Sequence, residues 1–312
     1  MNPAFSIILF TTLAGAAQGL VCALAVADLL GAGPQTPFKA VALGVAFMLL
    51  AAALMASFFH LGHPMRAWRA AAMWRSSWMS REVIVLPVFM GAVAAWGAGE
   101  LIGLEGFARV ACAVLSLLLA ALLWYCTAMI YACLRFIQEW AHPITLVNYV
   151  LIGLASGLVL AGALGALAGE ADFARGVAPW ALTLTLLAWA TRAWALRRNA
   201  GLKPKSTLQS ATGIHAARLA QQSMGMSAGA FNTREFFHEV SLAMVRRIKL
   251  GFQLLGFAAP ACLVALTLLS PGGAPTFWTL AVALQLAGVL AERWLFFAQA
   301  RHPQNLYYQV VS

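Results

Sequence analysis

Eight apolar stretches, each long enough to cross a lipid bilayer, fill most of this 312-residue chain. A membrane helix needs about 20 mainly apolar residues. The stretches are continuously apolar and do not alternate as barrel strands do, so helices are the expected spanning element. The sequence therefore predicts an all-α integral membrane protein, a bundle of eight transmembrane helices. The predicted spans are 5–30, 39–61, 82–103, 107–130, 144–168, 177–196, 250–269 and 276–298.

The composition excludes an ordinary soluble domain and argues against a nucleic-acid binder. Hydrophobic residues make up 62% of the chain and charged residues 10%, whereas a soluble domain has about 25% charged residues. The net charge of +10 lies in short loops between apolar runs rather than on a polar domain. Small residues in stretches such as 153–169 favour close helix packing. We therefore expect one anchor domain over residues 1–312, with a true first span rather than a cleaved signal peptide.

The basic residues are distributed unequally between the two sides of the predicted bundle. With eight spans, both ends of the chain share one side with the gaps 62–81, 131–143 and 197–249. Fifteen of the 20 basic residues lie on that side. Because lysine and arginine concentrate in cytoplasmic loops, we expect a bacterial inner-membrane protein with both termini in the cytoplasm. The exceptions are Lys39, Arg109 and Arg175 on the opposite side, and Arg192 and Arg293 inside spans.

The gap 197–249, between the sixth and seventh spans, is the one sizeable polar insertion. It contains little that could build a core, and the segments 214–222 and 234–249 are predicted as surface helices. A long loop on a small membrane protein is usually functional or disordered. Two interpretations stay open, a solvated loop that orients the protein and a docking platform for a soluble partner.

One polar segment at the expected cytoplasmic boundary carries the candidate chemistry. His60 and His63 stand near the predicted end of the second span, where helical spacing would place them on one face before Pro64. Glu82 opens the predicted third span, with Ser80 as a candidate cap. An imidazole and a carboxylate at neighbouring helix ends suit a quinone headgroup, which needs hydrogen-bond partners and a route for protons. The alternative is that each side chain is an ordinary helix-end residue.

Other classes of membrane protein are less consistent with the polar residues. The five cysteines form no CxxC pair, so neither a zinc site nor an iron–sulfur cluster is indicated. The six histidines lie on or near one side, which argues against two stacked haems but leaves a single surface haem open. A secondary transporter would place ionisable residues at mid-membrane. Here the deep charges are few, and Glu292 beside Arg293 is interpreted as a structural pair.

Two motifs resemble the DmsC-type membrane anchor family. They are residues 59–67, FHLGHPMRA, and residues 77–82, SWMSRE. Weaker similarities occur at residues 2–4, NPA, and in the tail from Glu292 and Arg293 to Tyr307 and Tyr308. Proteins of this family anchor dimethyl sulfoxide reductases or cytoplasmic sulfite-oxidising molybdoenzymes in the membrane.

The resemblance implies the cofactors, partners and site of the chain. The bound substrate would be a quinone, ubiquinone or menaquinone, with no haem or metal in this protein. The partners would be a ferredoxin-like iron–sulfur subunit and a molybdopterin catalytic subunit that acts on the terminal substrate. The quinol-site histidine and glutamate of the family match His60 and Glu82. We expect His63, Arg66 and Arg81 to shape the same quinone pocket.

The direction of electron flow depends on the orientation of the bundle. Dimethyl sulfoxide reductases hold their soluble subunits outside the cell, whereas the basic residues place the face with His60 and Glu82 inside. We therefore expect quinone reduction during sulfite oxidation on the cytoplasmic side. The alternative is a quinol-oxidising anchor of a dimethyl sulfoxide reductase.

Overall fold

The computed structural model describes residues 1–59, 61, 63–223, 237–238, 240–269 and 274–307, and their regular structure is helical. Short 3₁₀ helices span Pro64–Met73 and Pro303–Tyr307. A π-helical segment, Leu254–Ala258, joins α8 to α9. The α-helices are α1 (Phe5–Leu29), α2 (Thr36–Phe58), α3 (Trp78–Leu101), α4 (Gly106–Ala132), α5 (Ile144–Ala168), α6 (Ala171–Ala200), α7 (Leu208–Thr212), α8 (Leu242–Gln253), α9 (Ala259–Leu269) and α10 (Ala274–Ala298).

Seven segments of the described chain are long and apolar enough to cross a membrane. They are α1 to α5, the continuous segment Leu242–Leu269 and α10. The prediction of an all-helical, multi-pass membrane protein is thereby confirmed, but the expected count of eight is not. The missing member is α6, which is 30 residues long. Threonines, tryptophans and Arg192 lower its mean hydropathy below that of the other seven.

Helix α1 lies at the centre of the bundle and packs against α2, α4, α5 and α10. Its residues Leu20, Val21 and Leu24 are fully buried. The contact with α5 is close because both helices present glycine: a Cβ atom on Gly157 would collide with the backbone of Gly19. Small residues allow membrane helices to approach in this way, as the glycine-rich composition of 153–169 predicted.

The two ends of the described chain meet at one end of the bundle. The Met1 amine donates to the carbonyl oxygens of Ala298 at 3.1 Å and Ala300 at 3.3 Å. The connections that follow α2, α4 and α6 lie at the same end, where Gln138 Nε2 donates to the carbonyl of Lys203 at 3.2 Å. We call this the termini end and the opposite one the far end. The grouping of these connections agrees with the sequence prediction.

Two helix boundaries differ from the sequence expectation around the polar segment. Helix α2 ends at Phe58, so the helical spacing expected for His63 is wrong. The His63 backbone is extended, with φ −138°, because a residue that precedes proline avoids the helical region. Helix α3 begins one turn before Glu82, and Ser77 rather than Ser80 is its cap: Ser77 Oγ accepts from the Ser80 amide at 3.3 Å.

The insertion between α6 and α8 has little regular structure in its described part. Helix α7 ends at Gly213, whose φ of +71° is in the left-handed region that glycine tolerates. The surface helix expected over 214–222 does not form. Within the second expected helix, 234–249, the described helix begins at Leu242, after a Ser241 cap, and continues as the membrane-length segment. Residues 224–236 lie outside the described part of the chain.

Candidate functional site

A cavity of about 320 Å³ lies at the termini end, between α1, α2, α3, α4 and the 3₁₀ helix Pro64–Met73. Most of its wall is apolar, with Phe10, Leu86 and Trp68 among the lining side chains. The carboxyl of Glu82 and the hydroxyl-bearing Tyr131 also line it. Ligand cavities are commonly about 300–1,000 Å³ and combine apolar walls with a few polar groups. The cavity therefore has the size and lining expected for an apolar molecule with a polar headgroup.

The Glu82 side chain joins α3 to α4 inside this cavity. It is buried, and the Thr127 hydroxyl of α4 donates to Glu82 Oε1. Burying a carboxyl group is costly unless it is hydrogen-bonded. The Thr127 hydroxyl bonds to only one of the two carboxyl oxygens. The other oxygen can therefore form a hydrogen bond with a ligand in the cavity.

The position of His60 itself cannot be compared with the sequence expectation, because it lies outside the described residues. Its neighbours in sequence, Phe58 and Leu61, both line the cavity. The expected pairing of His60 with Glu82 at a quinone site therefore stays a prediction.

The other three expected pocket residues do not line this cavity. His63 and Arg66 are exposed. Arg81 turns back towards the connection that precedes α3: its Nε donates to the carbonyl of Trp74 and its Nη2 to that of Arg75, each at 2.8 Å. Arg81 thus holds the start of α3 against the 3₁₀ helix. A direct role for these three side chains in binding stays a prediction.

A second polar cluster lies deeper at the termini end. Arg192 Nε on α6 lies 2.5 Å from Glu292 Oε1 on α10, and Arg293 Nη1 lies 3.3 Å from Glu292 Oε2. All three side chains are at most 2% exposed. The expected pair of Glu292 and Arg293 is therefore present, and Arg192 joins it from a helix about 100 residues earlier in the chain.

Two tyrosines lie between this cluster and the cavity. The Arg293 guanidinium lies 4.1 Å from the centre of the Tyr149 ring. Tyr149 stacks on Tyr131, with ring centroids 5.9 Å apart and an interplanar angle of 14°. Sequence reasoning missed both tyrosines, because an aromatic residue in an apolar run looks like ordinary core. Their polar neighbours come from helices distant in sequence.

Potential metal ligands are dispersed over the described part of the chain. No three histidine, cysteine, aspartate or glutamate side chains of these residues are grouped as a metal site would require. The five cysteines are unpaired. Two of the polar side chains that do line the cavity, Glu82 and Tyr131, are groups that can form hydrogen bonds and exchange protons.

Two comparisons relate the chain to known proteins. A family model described as DMSO reductase anchor subunit (DmsC) matches residues 1–299. A sulfite dehydrogenase subunit of Allochromatium vinosum is 47% identical over 328 residues, and the match covers 100% of both chains. Both matches extend over the cavity and the deeper polar cluster.

Proposed function

Because the chain belongs to the DMSO reductase anchor subunit (DmsC) family, we propose that it is the quinone-reactive membrane anchor of a molybdoenzyme complex. It exchanges electrons between an iron–sulfur subunit and the membrane quinone pool. The molybdopterin and the iron–sulfur clusters belong to the partner subunits. The membrane-length helices support the anchoring role.

The observation that carries the proposal is the buried carboxyl group of Glu82 in the wall of an apolar cavity. Reduction of a quinone consumes two electrons and two protons and forms one O–H bond at each carbonyl oxygen. Glu82 relays one proton, and His60 hydrogen-bonds the other carbonyl and delivers the second. His63, Arg66 and Arg81 shape the site from the adjacent connection. The electrons come from a cluster of the iron–sulfur subunit.

The proposed direction is quinone reduction coupled to sulfite oxidation in the cytoplasm. The identity of 47% to a sulfite dehydrogenase subunit supports this direction, as does the concentration of basic residues at the termini end. The chain crosses the membrane eight times, with α6 as the remaining crossing. The contact of Met1 with Ala298 supports an even number of crossings.

The insertion between α6 and α8 and the connection between α2 and α3, which contains the 3₁₀ helix Pro64–Met73, together form the docking face for the iron–sulfur subunit. Both lie at the termini end and present exposed basic side chains, which suit an acidic partner. We expect a glycine–serine linker of equal length in place of residues 207–223 to release the soluble subunits from the membrane fraction. An intact complex would exclude the insertion as the platform. The exposed basic residues include Arg66, Arg69, Lys203, Lys205 and Arg218.

The site is tested by comparing two electron acceptors in the whole complex. His60→Ala and Glu82→Gln should each abolish turnover with quinone, while the soluble subunits still reduce an artificial dye. General acid–base catalysis contributes roughly a hundred- to ten-thousand-fold. Glu105→Gln, at an exposed carboxylate of the far end, is the control and should leave both activities unchanged. If both site variants lose no more than twofold with assembly intact, the quinone site lies elsewhere.

A further inference from the structure

Three cavities at the termini end form a series, in which one shared residue joins the first two and a pair of stacked tyrosines joins the second to the third. Glu139 lines both a surface groove of about 350 Å³ and a small buried cavity of about 10 Å³. Tyr149 lines the small cavity, and its ring stacks on Tyr131, which lines the cavity that holds Glu82. We infer that this series is a proton path between the aqueous surface and the quinone. The inference rests on the quinone site proposed above and assigns the route of its protons.

Several residues that line the small cavity carry a buried polar atom that has no hydrogen-bond partner among the described residues. A cavity must offer about 10–15 Å³ to hold one water molecule, which needs two to four polar partners. Buried polar atoms are nearly always paired, so several unpaired ones around one small space indicate a bound water. These atoms are Asn148 Oδ1, the Tyr149 hydroxyl, Arg192 Nη2, Arg293 Nε and Gln299 Nε2.

The charges around the small cavity are balanced. Arg192 and Arg293 contribute two positive charges, and Glu292 and Glu139 contribute two carboxylates. A guanidinium stays protonated in proteins, so the arginines orient the water and do not themselves transfer a proton. The path therefore runs from Glu139 through the water to the Tyr149 hydroxyl.

Glu139 is placed to exchange protons with the surface. Its side chain is 9% exposed, whereas Arg301 above it is 77% exposed. The Arg301 amide donates to Glu139 Oε2 at 3.5 Å, and Arg301 Nε lies 4.0 Å from Oε1. The carboxylate thus lies at the junction of the surface groove and the interior.

The inner end of the path is the Tyr131 hydroxyl. The Tyr131 ring packs against Trp140, Tyr149, Phe296 and Phe297, with centroid distances of 5.3–5.9 Å. A phenylalanine would serve this packing equally well, so the hydroxyl has a role beyond it. Each proton that Glu82 passes to a quinone oxygen is replaced from water along the path that ends at Tyr131. The electrons come from the partner's iron–sulfur cluster, and quinol oxidation would send protons along the same path outwards.

The path is tested with two residues that do not line the quinone cavity. In the whole complex, Tyr149→Phe and Glu139→Gln should each lower the kcat for quinone by about tenfold or more. The KM for quinone and the dye-linked activity should stay unchanged, and the solvent deuterium isotope effect on quinone turnover should rise. Tyr125→Phe is the matched control: Tyr125 lies on α4 and contacts the Trp78 ring, away from the path.

The outcomes separate the path from the quinone site. If both variants keep kcat within twofold while Glu82→Gln abolishes quinone turnover, the path is refuted and the quinone site stands. If Glu82→Gln and His60→Ala also keep their activity, the quinone site lies elsewhere and the path fails with it. If Glu139→Gln prevents assembly, Glu139→Asp retains the carboxylate and should restore turnover. A slowed variant with an unchanged isotope effect would contradict the path.

Discussion

Buried ionic clusters occur at both ends of the bundle and differ in how completely their polar atoms are paired. At the far end, Lys39 Nζ lies 2.6 Å from Asp28 Oδ1 and 3.3 Å from Glu100 Oε2. Trp96 Nε1 donates to Glu100 Oε1 at 2.9 Å, and Arg109 Nε lies 3.4 Å from Asp28 Oδ2. These five side chains have no buried polar atom without a hydrogen-bond partner. The buried polar atoms of the far-end cluster are therefore all paired, and the cluster joins α1, α2, α3 and α4.

The cluster at the termini end is more completely buried, but several of its polar atoms have no hydrogen-bond partner. Arg192 and Arg293 share Glu292, and each arginine retains a nitrogen without a hydrogen-bond partner. Both arginines line the small cavity, as do Glu139 and Tyr149. A buried ion pair alone is weak support for a function. The unpaired atoms and the cavity beside them are what distinguish this cluster from the one at the far end.

The largest expected effect concerns which end of the bundle faces the cytoplasm. A reporter fused after Lys205 should behave as cytoplasmic, and reporters fused after Gly103 or Glu170 as periplasmic, because basic loops stay inside. The readout is the activity of two reporter enzymes, one active only in the cytoplasm and one only in the periplasm. At each fusion point one of the two should be active and the other inactive. The same location for the fusions after Glu170 and Lys205 would show that α6 does not cross the membrane. A full reversal would favour the dimethyl sulfoxide reductase direction.

The next largest effect is expected from removing the buried cation of the far-end cluster. Lys39→Met leaves the Glu100 carboxylate buried without a positive partner and leaves Asp28 with Arg109 alone, which costs about 3–5 kcal/mol. Thermal unfolding of the purified complex should shift strongly downwards, while quinone turnover per assembled complex should not change. Arg109→Gln is the control, because a 39%-exposed partner contributes about 1 kcal/mol or less. If Lys39→Met unfolds at the same temperature as the unaltered protein, the far-end cluster does not stabilise the fold.

A smaller effect, on turnover rather than stability, is expected from Asn148→Leu at the termini end. Asn148 Oδ1 has no partner among the described residues, so replacing it by an apolar group of similar shape should cost about 1 kcal/mol or less. Quinone turnover should fall by roughly tenfold or less, because the proposed water loses an acceptor. Thr185→Val is the matched control, since Thr185 also has an unpaired buried hydroxyl but does not line the small cavity. Equal turnover in the two variants would count against the water.

The smallest effect is a dependence of stability on pH at the termini end. Burial lowers the pKa of His142, and the nearby Arg198 lowers it further. The His142 Nδ1 atom accepts from the Ile144 amide at 3.1 Å, a bond that the protonated ring cannot make. Because the folded state binds this proton less readily than the unfolded state, stability should fall as the pH drops below the unfolded value of about 6.5. The loss should be about 1 kcal/mol or less.

Thermal unfolding of the complex at pH 5 and pH 8 measures this effect. His142→Asn retains an acceptor that does not titrate, so the difference between the two pH values should shrink in that variant. An unchanged difference would assign the pH dependence to other groups.

The membrane helices could be predicted from the sequence, whereas their ends at the polar segment could not. An apolar run of bilayer length has few alternatives to a helix. Near Glu82, by contrast, two serines lie within four residues, and either Ser77 or Ser80 can cap a helix. In the structure Ser77 caps the helix, so Glu82 lies one turn inside α3 and is buried. A difference of one turn thus placed the carboxyl group in a cavity wall rather than at the water boundary.

The candidate site was predictable in part. Glu82 was proposed from its position and from the family motif, and the structure places it in the wall of a cavity that borders the polar segment. Lys39 lies at the far end, the side on which it was expected, but its burial between two carboxylates was not predicted. The sequence shows that a charge is near a span but not whether an opposite charge lies beside it.

The sequence by itself determined that the chain is an all-helical membrane protein, that its basic residues gather on one side, and that a histidine–glutamate motif lies there. These properties depend on residue type and on spacing along the chain. Only the tertiary structure decided that Arg192 on α6 meets Glu292 on α10, and that Tyr149 on α5 stacks on Tyr131 of α4. Such contacts depend on which helix faces pack together, and small residues such as Gly19 and Gly157 control that packing. The physical reason is that a buried polar atom derives its role from its partners, and these partners are distant in sequence.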